Sequence, residues 1–219
     1  LAQPSKVARR TRQPALPYAD MPEFMQALRK QHNTSARALE FLILTGVRSG
    51  EVRNATWSEF DLDKAVWTIP AERMKGGREH RVPLSEQALR LVRAQQEVSF
   101  CDFLFPSPNR PRDPEADGAP LSDMALTAVM RRMELQQKAV PHGFRSTFRD
   151  WVSETTTHSN EVAEMALAHS IRNRVAAAYR RGDLFEKRRQ LMQDWADFVL
   201  GRRPSSNVVS INEGFRLAA

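Results

Sequence analysis

The chain has 219 residues, 41% of them hydrophobic, which is enough apolar content for a packed core and too much for a disordered chain. No run approaches the roughly 18 apolar residues of a membrane span, and no apolar segment follows the early Arg9, Arg10 and Arg12 as a secretory signal would require. Cys101 is the single cysteine, so an internal disulfide and a thiolate metal cluster are both excluded, and a cytoplasmic location is expected. The net charge is +7, and arginine outnumbers lysine 27 to 6. Guanidinium groups present a planar fork that fits phosphate, so this balance points to a polyanionic partner, most simply nucleic acid.

In chain order, residues 1–18 are rich in proline and arginine and lack helical periodicity, which suggests a linker from a missing upstream region. Asp20 and Glu23 have capping-box spacing ahead of an apolar-patterned helix through Phe24, Met25 and Leu28. A second helix is expected from Thr34 or Ser35 to a stop at Gly46, and a short third one, capped by Ser49, from Gly50 to Ala55. The period then changes. Residues 58–84 read as a small antiparallel sheet, with strands at Phe60, Val66–Ile69 and Arg81–Leu84 and a turn at Gly76-Gly77. Ser85 is placed to cap a helix reaching Val98. Residues 101–120 form a proline-rich acidic loop, and Leu121–Met133 is helical. From Phe144 to Leu200 the chain reads as helices broken near 156–160, at Ser170 and at Gly182-Asp183. The expected architecture is mainly α with a small antiparallel β-sheet: a domain over 19–203 and a tail over 204–219.

Five local features carry chemical groups. Arg48 lies between Gly46 and Gly50 at a helix-to-helix junction, with Glu51 spaced to brace it. Lys75 is displayed on the Met74–Arg78 turn. His142 and Arg145 are spaced to share one face of a helical first turn, where free backbone N–H groups favour anions. His169 follows an apolar helix, a position that also suits a plain helix C-terminal histidine. Tyr179 sits in a basic alanine-rich segment beside Arg174, Arg180 and Arg181. Each is ordinary by itself: a surface tyrosine, a solvated turn lysine, a capping histidine.

Taken in order, Arg48, Lys75, His142, Arg145, His169 and Tyr179 resemble the signature of the tyrosine recombinases, the phage integrase family. The resemblance runs over nearly all of residues 20–200. It is most similar to the integrases of prophages and genomic islands, through Arg81–Ser85, Ala177–Arg181 and Arg188–Ala196. It implies a tyrosine recombinase catalytic-domain fold and DNA cutting and rejoining through a covalent 3′-phosphotyrosine. Tyr179 would be the nucleophile, with Arg48, Arg145 and His169 on the phosphate. His142 would handle the phenolic proton, and Lys75 would protonate the leaving 5′-oxygen. It further implies double-stranded DNA attachment sites as partners, a homotetramer on DNA for the full-length protein, and accessory DNA-bending proteins. No cofactor and no metal are expected, because the set holds neither a carboxylate pair nor a P-loop. A type IB topoisomerase-like enzyme and a non-catalytic DNA-binding module of the same fold are the alternatives.

Overall fold

A computed structural model describes residues 13–109, 111, 113, 115–135, 137–169 and 182–202. Its helices, among these residues, are α1 (Met21–Arg29), α2 (Thr34–Thr45), α3 (Ser49–Arg53), α4 (Glu86–Glu97), α5 (Ala125–Arg132), α6 (Gly143–Thr155), α7 (Asn160–Ala166) and α8 (Phe185–Val199). A three-stranded antiparallel sheet, in the order β1 (Phe60–Asp61), β2 (Val66–Ile69), β3 (His80–Pro83), lies between α3 and α4 in the chain. None of these helices is long and apolar enough to cross a membrane.

Helix α2 is the hub, packing against α1, α3, α4, α5 and α8. Leu39, Phe41, Leu42, Ile43 and Leu44 are all buried, so this helix is apolar on every side and needs neighbours all round. Its ends follow local rules. The Asn33 side chain accepts from Ala36 N–H, and Gly46 closes the helix in the left-handed region at φ 66°. Ser85 likewise caps α4 by accepting from Ala88 N–H.

Two expected caps are not formed. Asp20 precedes α1, but its side chain makes no capping hydrogen bond; Pro22 at the start of the helix supplies the entry geometry instead. Helix α3 begins at Ser49, so Arg48, not Ser49, is the capping position. There the Glu51 carboxylate takes the Arg48 backbone N–H at 2.7 Å.

The sheet pairs Trp67 with Val82 and Ile69 with His80, and all four side chains are buried. Phe60 stacks on Trp67 at 5.4 Å between centroids, and Phe41 of α2 meets Trp67 at 5.3 Å, joining sheet to hub. On the opposite side Trp151 of α6 meets Trp195 of α8 at 5.1 Å, and the Trp195 indole N–H donates to the Ile43 carbonyl at 2.7 Å. Before α1 the chain runs against α6. The Pro14 carbonyl accepts from Val140 N–H, and the Leu16 carbonyl accepts from the Thr147 hydroxyl at 2.6 Å.

Candidate active site

The α2–α3 junction, the start of α6 and the end of α7 meet at one place. Gly46, in its left-handed conformation, turns its carbonyl towards Arg145, whose Nη1 donates to it. The other terminal nitrogen, Nη2, donates to the Leu167 carbonyl at 2.6 Å and faces His169 Nε2 at 2.9 Å. Arg145 is 4% exposed, and burial together with the Arg48 charge brings its pKa down to about 10, so it stays a cation at neutral pH. Its Nε is buried and has no hydrogen-bond partner among the described residues.

Arg48 approaches from the other side. Its Nη1 donates to Glu51 Oε1 at 2.9 Å, and its Nη2 lies 3.4 Å from the Ala168 carbonyl. The expected brace by Glu51 is therefore present twice over, on the guanidinium and on the backbone of the same arginine. The two guanidiniums lean on the adjacent carbonyls of Leu167 and Ala168, so two cations are held side by side by backbone contacts. Like charges at this spacing repel, and an arrangement that fixes them without neutralising both is a ready anion receptor.

His142 stands immediately before α6, and Arg145 is on the first turn of that helix, as their spacing predicts. Partial desolvation lowers the His142 pKa, and the charges of Arg145, Arg48 and Lys75 lower it further. The imidazole is thus held in its neutral form, which can accept a proton. Lys75 is exposed on the turn after β2, and its charge is felt at His142. The base of that turn is anchored by Arg73, which donates to Glu59 and to the Glu51 carbonyl. The lysine-bearing turn is therefore tied to the helix that braces Arg48.

His169 follows α7. Ala168, at φ 49°, takes the left-handed turn, and His169 N–H returns to the Glu164 carbonyl at 2.9 Å. The structure thus brings Arg48, Arg145 and His169 into one contact network, with His142 and Lys75 at its edge. Tyr179, with Arg174, Arg180 and Arg181, lies outside the described residues.

Some participants fall outside the six-residue signature. Glu164 accepts from His169 Nδ1 at 2.7 Å and from Arg149 Nε at 2.6 Å. His80 of β3 is buried beside Arg188, Arg145 and Arg48. Arg188 is buried as well, and its Nη2 donates to Asp183 at 2.7 Å while its Nη1 donates to the Arg81 carbonyl of β3. A glutamate and a histidine five apart across a helix end carry some signal for the first of these; the others depend on distant segments meeting.

Residues 15–184 match the model of the phage integrase family. The chain is 33% identical over 207 residues to prophage integrase IntA of Escherichia coli (strain K12), a match covering 93% of this chain and 48% of that protein. It spans about half the length of the curated relatives it matches. Among solved structures, the integrase from mycobacterium phage Brujita superposes with a TM-score of 0.61 at 17% identity, over 94% of this chain and 63% of that one. A lambda integrase(75-356) dimer bound to a COC′ core site gives 0.55 at 19% identity, over 74% and 59%. At these identities the structural likeness establishes the fold: a helical domain with a small inserted sheet.

Proposed function

The chain belongs to the phage integrase family, and from that premise we propose that it is the strand-cutting and rejoining domain of a site-specific DNA recombinase of a mobile element. The observation that carries this reading is the convergence of Arg48 and Arg145, from separate parts of the chain, on the Leu167–His169 segment, where His169 meets Arg145. A phosphodiester in that place would present its non-bridging oxygens to two fixed guanidiniums. Preorganised donors of this kind strengthen as the phosphorus becomes five-coordinate and its oxygens gain charge.

In the proposed reaction the Tyr179 Oη attacks the scissile phosphorus, and its proton passes to His142. The bond from phosphorus to the 5′-oxygen breaks, and Lys75 supplies the proton that makes this oxygen a free hydroxyl. The product is a 3′-phosphotyrosine. Attack by another 5′-hydroxyl reverses each transfer, restoring the phenol and a continuous strand. A phenol with a pKa of about 10 is almost wholly protonated at neutral pH, so a neutral acceptor is needed. The lowered pKa of His142 supplies one. Lys75, exposed on a turn, suits a group that must reach into a duplex from one side. Double-stranded attachment-site DNA is the proposed substrate, and a tetramer on two duplexes, with accessory DNA-bending proteins, the proposed working assembly of the full-length protein.

A pool of nicked duplexes with randomised cores, incubated with the chain in EDTA, tests the reading. A denaturation-resistant protein–DNA adduct is expected from the unaltered chain and none from Tyr179→Phe. An adduct that persists in the variant moves the nucleophile elsewhere, and an unaltered chain that yields no adduct on any duplex of the pool overturns the proposal. Arg48→Ala and Arg145→Ala are each expected to lower adduct formation by about 100-fold or more, the scale on which single charge-stabilising donors act.

A further inference from the structure

One carboxylate outside the six-residue signature stands in line with it. Glu164 lies in α7, five residues before His169. Its Oε2 faces His169 Nδ1 at 2.7 Å, and its Oε1 accepts from Arg149 Nε of α6 at 2.6 Å. Across the imidazole, Nε2 faces Arg145 Nη2 at 2.9 Å. A guanidinium has donors only, so Nε2 must accept there. The ring proton therefore sits on Nδ1 and is donated to Glu164. The backbone repeats the tie, because His169 N–H donates to the Glu164 carbonyl. Burial pushes the Glu164 carboxyl up, but the hydrogen bonds from Arg149 and His169 and the Arg149 charge outweigh it and hold the group below the ordinary carboxylate value. It remains ionised and acceptor-only at neutral pH.

We propose that Glu164 is a positioning residue for strand cutting: it fixes the ring of His169 through Nδ1, so that Nε2 accepts from Arg145 and holds that guanidinium in place for a phosphate oxygen. The assignment rests on the recombinase reading above. Arg149 completes the device by holding the carboxylate from behind, which leaves Glu164 one orientation in which both its oxygens are used. A histidine so backed loses the freedom to rotate about its ring axis or to exchange tautomers. Its one remaining nitrogen is committed to the site. Without the carboxylate, Nδ1 and Nε2 compete for the proton, and the ring turns freely at the exposed end of α7.

The test has two readings. Two-bond proton–nitrogen correlation spectra of the histidine-labelled chain are expected to show His169 protonated on Nδ1, and Glu164→Leu is expected to abolish that preference. On a duplex recovered as adduct from the randomised pool, Glu164→Leu should slow adduct formation at saturating DNA by about 10- to 100-fold, the range seen when the group orienting an imidazole is removed. The dissociation constant for the DNA should change by less than about twofold, since Glu164 does not itself face the phosphate. Glu164→Gln keeps an oxygen acceptor for Nδ1–H and should recover most of the rate. A ring protonated on Nε2 in the unaltered chain, or a Glu164→Leu rate equal to that of the unaltered chain, overturns the assignment. The spectrum of the unaltered chain decides the first point even if the leucine variant does not fold. Absence of adduct from the unaltered chain overturns the recombinase reading instead.

Discussion

His80 is a neutral group set among cations. Burial drives its pKa down to about 4, helped chiefly by the Arg188 charge, while a backbone hydrogen bond involving Ala166 opposes the shift. Its Nε2 has no hydrogen-bond partner among the described residues. The folded value lies below the unfolded one of 6.5, so between those two values the unfolded chain takes up the proton first. Stability is therefore lost as pH falls through that window, by roughly 3 kcal/mol in all for this single group. His80→Gln should flatten the dependence of the urea midpoint on pH between about 6.5 and 4 relative to the unaltered chain. An identical slope in the two proteins would show that His80 is not the group that titrates. Nothing in the sequence marks this residue. His80 opens a short strand, and only the arrival of Arg188 and Arg145 from more than sixty residues away makes its environment hostile to a proton.

At the scale of the element, α6 shows how a tertiary contact overrules propensity. Gly143 begins the helix, and a Cβ there would stand 2.0 Å from the Pro14 carbonyl oxygen and 3.0 Å from Ala15 Cα. Alanine is intrinsically better than glycine in a helix by about 1 kcal/mol, which taken alone predicts stabilisation. Backbone atoms cannot yield as a flexible side chain can, and overpacking costs about 1–3 kcal/mol or more, so the clash wins. Gly143→Ala should lower the denaturant midpoint and, by displacing the first turn of α6, reduce adduct formation through His142 and Arg145. A midpoint raised by the substitution would refute the close approach. The stop of α2 and the start of α4 were legible because their signals are local: Gly46 and Ser85 act within a few residues of themselves, whereas the Asn33 cap of α2 showed only in the structure. Asp20 and Ser49 have the right chemistry for caps, yet Pro22 and Glu51 determine those ends. A spacing rule states which bonds are possible and is silent on which competitor takes them.

For the whole molecule, Trp195 links α8 to the hub. Its indole packs at a tilt against Trp151 and stacks on Phe198, and its N–H bonds to the buried Ile43 carbonyl. Trp195→Phe keeps an aromatic ring but leaves that carbonyl without its indole donor, at a cost of about 1–3 kcal/mol plus the volume lost. The urea midpoint should fall with an unchanged m-value, as expected for a loss of native stability without a change of mechanism. A midpoint unchanged by the substitution would remove Trp195 as a support of the hub. The fold class was readable because helical periodicity gives way to strands only between 58 and 84, and the structure places its three strands there. Five of the six signature groups lie among the described residues, where Arg48, Arg145 and His169 share one network. Glu164 and Arg149 went unread because ion pairs on a polar helix face are commonplace, and only the position of the His169 ring between Glu164 and Arg145 makes this pair distinctive.

The carbonyl ties of the two arginines also set an order of events. Arg145 is 99 residues from Gly46, and Arg48 is 120 from Ala168, so neither contact can form while those segments are still apart. Long-range contacts of this kind close late, because the entropy of the intervening loop must be overcome first. A chain emerging from the ribosome has Arg48 120 residues, and Arg145 22 residues, before the Ala168 and Leu167 carbonyls that fix them side by side. The anion receptor is thus a product of completed folding, and a half-made chain holds the same arginines without the grip.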